Sequence, residues 1–120
     1  VLTIREAQMD VLAEARFDHL KQWLLPHLRA SFAVEVADKD DDTLRGFIGA
    51  GVERARTYGA TRAATLCKFV HLWVLFGDGL EALPWAERVL RDPSLQDPNT
   101  RLEVLALVAR EHLAEEEDRA

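Results

Sequence analysis

Apolar positions crowd most densely into residues 61–77, TRAATLCKFVHLWVLFG. Leu66, Phe69, Val70, Leu72, Trp73, Val74, Leu75 and Phe76 cover nearly the whole circumference of a 3.6-residue helix. A helix that is apolar all round needs neighbours all round. The pattern predicts a central helix over residues 61–77, with the Thr61 hydroxyl capping its first turn and Gly77 ending it. The fold class that follows is all-α, a compact bundle of about five helices around this element, in a single domain over residues 1–120.

Weaker periodicities flank it. Val11, Leu12, Ala15, Leu20, Trp23 and Leu24 give one face of a helix over residues 4–25. Thr3 and Glu6 have the spacing of a capping box at its start. Pro26 lacks an N–H and clashes with the preceding turn, so the helix is expected to kink or break there, with a further turn or two over residues 27–32. Residues 33–43, AVEVADKDDDT, lose the period and read as a loop, with Val34 and Val36 packing its near end. A second helix is expected over residues 43–58. Leu44, Phe47, Ile48, Val52 and Ala55 form its face, and Asp40, Asp41 and Asp42 favour its positive N-terminal end. Gly46, Gly49 and Gly51 weaken it by up to about 1 kcal/mol each, which predicts close approach of a neighbouring helix. Gly59 is its stop.

Beyond Gly77, residues 80–83 read as one turn, and Pro84 suits the first position of a short helix over residues 84–90. Asp92-Pro93 and Asp97-Pro98 bracket a turn-rich link. The last helix, residues 98–114, carries Leu102, Leu105, Val108, Ala109 and Leu113 on one face. Its start fits either a Thr100–Glu103 capping box or an Asp97 cap with Pro98 inside. Acid at residues 115–118 opposes the helix dipole and predicts fraying.

Charge narrows the function classes. The chain has 21 acidic and 15 basic residues, a net charge of −6. That disfavours nucleic acid and anionic membranes and favours basic partners. The apolar run from Phe69 to Phe76 is too short to span a bilayer. A single cysteine, Cys67, forms no internal disulfide, which fits a reducing cytoplasm. The first sixteen residues mix charge with apolar positions and lack a signal-peptide core.

Candidate chemistry is sparse. Cys67 and His71 share a helix face at i, i+4, a spacing that can hold a metal or pair a thiol with a base, but His19, His27 and His112 lie on other segments. A core cysteine beside a half-buried histidine is the simpler account. Asp38, Asp40 and Asp42 imitate the start of a calcium loop, but Thr43 and Gly49 stand where that loop needs glycine and glutamate. Trp23, Trp73 and Trp85 could form a cofactor box, though tryptophans at helical spacing are mostly core. Arg54, Arg56 and Arg62 make a small basic spot. No cluster of acid, base or metal ligands stands out, and a binding module fits better than an enzyme.

Tyr58-Gly59, Phe69-Val70-x-Leu72-Trp73-x-x-Phe76-Gly77, Leu83-Pro84-Trp85-Ala86 and Val89-Leu90, with Ile4-x-x-x-Gln8-Met9, form a pattern that resembles small helical proteins encoded beside bacterial type VI secretion effectors. Such neighbours are typically adaptors, chaperones or immunity proteins. The matching positions are core and turn residues, so the resemblance implies a shared fold and carries over no catalytic residue. Two readings stand. One is a cytoplasmic, non-catalytic protein-interaction module without cofactor or metal. It would serve a secreted toxin or effector as adaptor, chaperone or cognate immunity protein, with Asp38, Asp40 and Asp41 steering a basic partner. The other is a small enzyme or metal-binding sensor built on Cys67 and His71.

Overall fold

The computed structural model describes residues 2–119, and side chains over residues 14–118. The fold is all-α. Among the described residues it has five α-helices, α1 Leu2–Ser31, α2 Asp41–Thr57, α3 Ala63–Phe76, α4 Pro84–Leu90 and α5 Pro98–Arg119, plus a 3-10 helix over Gly77–Ala82. The chain divides into two compact units, Val1–Gly49 and Ala50–Ala120, with the boundary inside α2.

In the first unit, α1 continues through Pro26 without the break that was one of the two expected outcomes. Proline removes one ladder hydrogen bond, from its own nitrogen to the Gln22 carbonyl. Pro26 and Gln22 are both exposed, so water can satisfy that carbonyl and the helix continues. Leu24 and Leu28 are fully buried, whereas Trp23 is 53% exposed and stacks on His27 at 4.5 Å. The predicted Thr3–Glu6 box and the Val11 and Leu12 positions lie outside the described side chains. Residues 32–40 form the expected loop. Val36 is buried in it, but Val34 is 87% exposed.

α2 starts two residues earlier than the pattern suggests, because Asp40 is its cap. The Asp40 carboxylate accepts the Thr43 N–H at 2.7 Å, and its carbonyl accepts the Leu44 N–H at 2.8 Å. At the other end, the Gly59 N–H donates to the Arg56 carbonyl at 2.9 Å and the Ala60 N–H to the Ala55 carbonyl at 3.3 Å. These two bonds and the positive φ of Gly59, 93°, make a Schellman stop.

The second unit is built on α3, which packs against α5 and the 3-10 helix, while α4 packs against the same two elements. Leu66, Phe69, Val70, Leu72 and Trp73 are buried, and each such side chain stabilises the fold by about 1.5–3 kcal/mol. The circumference is not covered completely, since Leu75 stays 39% exposed. Gly77 ends α3 with a φ of 64°, and the chain tightens at once into the 3-10 helix. α4 has Pro84 in its first turn, as its sequence requires. α5 continues to Arg119, past the expected fraying point. Here His112 lies 3.8 Å from Glu115 and stacks on Trp85 at 4.9 Å, and residues 114–118 beyond it are exposed. Of the three glycines in α2, only Gly51 meets a neighbour among the described residues. A Cβ there would stand 2.9 Å from the Trp73 ring.

Candidate functional site

The acidic turn between α1 and α2 is the most elaborated polar feature of the first unit. Arg29, in the last turns of α1, reaches forward beneath it. Its guanidinium donates to the Val36 carbonyl at 2.9 Å, the Lys39 carbonyl at 2.6 Å and the Asp41 carboxylate at 2.9 Å. One planar fork thus fixes two backbone groups and one carboxylate, a use of arginine that lysine could not copy. Lys39 lies over the Phe47 ring at 5.2 Å, which anchors the turn to α2.

The predicted partner-binding residues fall into two kinds on this frame. Asp40 and Asp41 have internal duties, as the α2 cap and as the Arg29 partner. The hydrogen bond from the Thr43 backbone holds the Asp40 carboxyl below the usual carboxylate range, so it stays ionised. Asp38 points to solvent, with its side chain 80% exposed, and so does Asp42, which is not one of the predicted three, at 96%. Asp42 pairs with Arg45 at 3.0 Å and does not cap the helix. Residues 35–45 hold five acids and two bases, and the surface of the turn is negative. Beside it, Asp18, Lys21, Gln22, Leu25 and Arg45 line a shallow groove of about 440 Å³.

The second unit contains a polar cluster that the sequence does not announce. Arg54 of α2 grips both carboxylate oxygens of Glu81 in the 3-10 helix and lies over the Tyr58 ring at 5.6 Å. The Arg54 bonds hold the Glu81 carboxyl low, and Tyr58 also hydrogen-bonds it. Burial, then the Glu81 hydrogen bond, pushes the Tyr58 phenol up. A cleft of about 290 Å³ opens beside the cluster, lined by Tyr58, Glu81, Glu87, Leu90 and Arg91. Arg54 and Glu81 are 27 positions apart, and no local spacing links them. The expected basic spot is therefore largely neutralised, because Arg56 pairs with Glu53 at 3.0 Å as well.

Cys67 is half-buried, and burial pushes its thiol up, towards the protonated form that neither attacks nor ligates well. Among the described residues no group of three or more His, Cys, Asp or Glu side chains is placed to hold a metal. The tryptophans take separate duties: Trp23 stacks on His27 in the first unit, Trp73 packs with Phe69 at 6.1 Å, and Trp85 meets Phe76 edge-on at 5.5 Å. The apolar stretch is longer than the sequence pattern implied. Ala63–Ala82 is long and apolar enough, by length and composition alone, to cross a membrane. Its inner face packs against α5, and Gly77 interrupts its α-helical course. The chain matches no protein-family model, no curated protein and no solved structure.

Proposed function

We propose that this chain is a non-catalytic protein-interaction module that meets a basic protein partner at the acidic turn. The observation that supports the reading is the way Arg29 holds that turn in shape while leaving Asp38 and Asp42 in solvent. A loop fixed before binding loses little conformational entropy on complex formation. Its local cations are weak competitors: Lys39 lies 3.6 Å from Asp38, Arg45 pairs with Asp42 in the open, and exposed pairs of this kind exchange readily for a partner's cations. The resemblance of residues 58–90 to proteins encoded beside type VI secretion effectors favours a secreted toxin or effector as the partner. The chain would then act in the cytoplasm as adaptor, chaperone or immunity protein.

The test starts with recovery of a stoichiometric partner on the tagged chain from its native cell. Association is then timed at low and high salt for the wild type and for Asp38→Asn/Asp42→Asn, which spares the cap and the Arg29 pair. Steering by the turn predicts association slowed about tenfold or more at low salt in the variant, with the difference fading as salt rises. Equal rates at both salt levels would remove the turn from the interface. Toxin survival in a co-expression assay then separates immunity from loading.

A further inference from the structure

α2 carries three glycines in six residues, Gly46, Gly49 and Gly51, and only the last is explained by packing. A Cβ at Gly51 would press on Trp73, but one at Gly46 or Gly49 would meet nothing within 4 Å among the described residues. Gly46 is exposed, Gly49 is half-buried, and the neighbouring Ala50 is exposed. The outer face of the helix is thus bare backbone here. Water reaches its hydrogen bonds, and each glycine lowers the helical equilibrium by about fivefold relative to alanine. Among the described residues, neither cost is repaid by close approach of another element. An independent observation falls at the same place. The chain's two compact units divide between Gly49 and Ala50, with Leu44 and Ile48 buried before the division and Val52 and Ala55 after it.

We infer that the exposed face of α2 at Gly46–Ala50 is a built-in opening point, where its hydrogen bonds break locally while the buried Leu44, Ile48, Val52 and Ala55 keep their places. Opening releases the first half of α2, with the acidic turn at its start, from helical continuity with the second half. Local openings of this kind are drawn from stretches with exposed hydrogen bonds and few apolar contacts.

Native-state amide hydrogen exchange on the full chain tests this. The amides of residues 50–53 donate back across the glycine stretch and report its opening. In the wild type they should exchange at least about tenfold faster than those of residues 69–73 in α3, with little dependence on added denaturant. Gly46→Ala/Gly49→Ala should slow them by about 25-fold, two fivefold factors, because both sites accept a methyl group without contact. Gly51 is left in place, since alanine there collides with Trp73. Two results would overturn the inference. One is exchange at residues 50–53 no faster than in α3 and with the same denaturant slope, which means that α2 opens only with the whole fold. The other is faster exchange that the double variant leaves unchanged, which means that the glycines are not its cause.

Discussion

The first turns of α3 and α5 lie against each other in the second unit, yet their starts are held in opposite ways. α5 is capped by the residue before it: the Asp97 carboxylate accepts the Thr100 N–H at 2.9 Å and the Thr100 hydroxyl at 2.8 Å. α3 has no cap of its own. Arg62 occupies the cap position and offers no side-chain bond, and Thr61, which has the right chemistry, stands one residue too early. The two residues that lead into α3 are anchored instead by Asn99 in the first turn of α5. One Asn99 oxygen accepts the Thr61 and Arg62 N–H groups, each at 3.1 Å, and its amide donates to the Thr61 hydroxyl at 3.2 Å. A local cap can form as soon as its own helix does. An anchor lent by another helix forms only when the two have docked. The difference makes the α3 start a product of tertiary structure and the α5 start a product of sequence.

The largest effect should come from the packing that brings the two helices together. Phe69 is 1% exposed, and Phe69→Ala should cost about 3–5 kcal/mol, read from denaturant melts. If docking is what anchors the lead into α3, this variant should also lose amide protection at residues 61 and 62 while keeping the Asp97 cap. Retained protection at both ends would break the comparison. Asn99→Ala comes next. Asn99 is 7% exposed, and its loss strands two N–H groups, so about 1–3 kcal/mol is expected. Asn99→Asp should recover most of it, because a carboxylate accepts both bonds and the Thr61 hydroxyl can turn to donate. A melting curve for Asn99→Ala that overlays the wild type would mean that water satisfies those two N–H groups unaided.

The same contrast explains which parts of the fold could be read from the chain. The α4 start at Pro84, the Gly59 and Gly77 stops and the Asp97 cap all involve residues within one turn of each other, and the sequence pattern finds the first three and offers Asp97 as one of two possible caps. Thr61 was misleading because its hydroxyl satisfies the cap rule but accepts from the Asn99 amide, 38 positions away, and leaves the first turn of α3 uncapped. The break offered at Pro26 failed for another reason. The rule about proline assumes that the lost bond matters, and on an exposed face water can replace it. The acidic turn was visible as a charge run, but its organisation was not. Arg29 sits 7 to 12 residues from the groups that it binds, and nothing in that spacing marks one arginine from another. The charge run placed three aspartates at the α2 start without showing that Asp40 alone caps it, which decides which carboxylates can be changed without harming the fold.

The smallest expected effect gives the sharpest test, because one of the two anchors titrates and the other does not. Hydrogen bonds from the Thr100 backbone and hydroxyl lower the Asp97 carboxyl below its ordinary value of 3.8. A carboxyl with a lowered value in the folded state contributes stability that is fully present above the unfolded value. It is lost as pH falls from 3.8 through the lowered folded value. Asp97→Asn keeps a capping oxygen and discards the charge, so at neutral pH it should melt only a few degrees below the wild type. As pH falls below 3.8 the wild type loses the same charge, and the two melting temperatures should converge. Asn99 has no charge to lose, so the deficit of Asn99→Ala should stay level across the same window. The other lowered carboxyls, Asp40, Glu81 and Asp92, shift all three proteins together and cancel in the differences. A deficit for Asp97→Asn that stays constant down to the acid limit would show that the charge adds nothing to the α5 start. Both helix starts would then be held by neutral hydrogen bonding alone, and they would differ only in where the oxygen comes from.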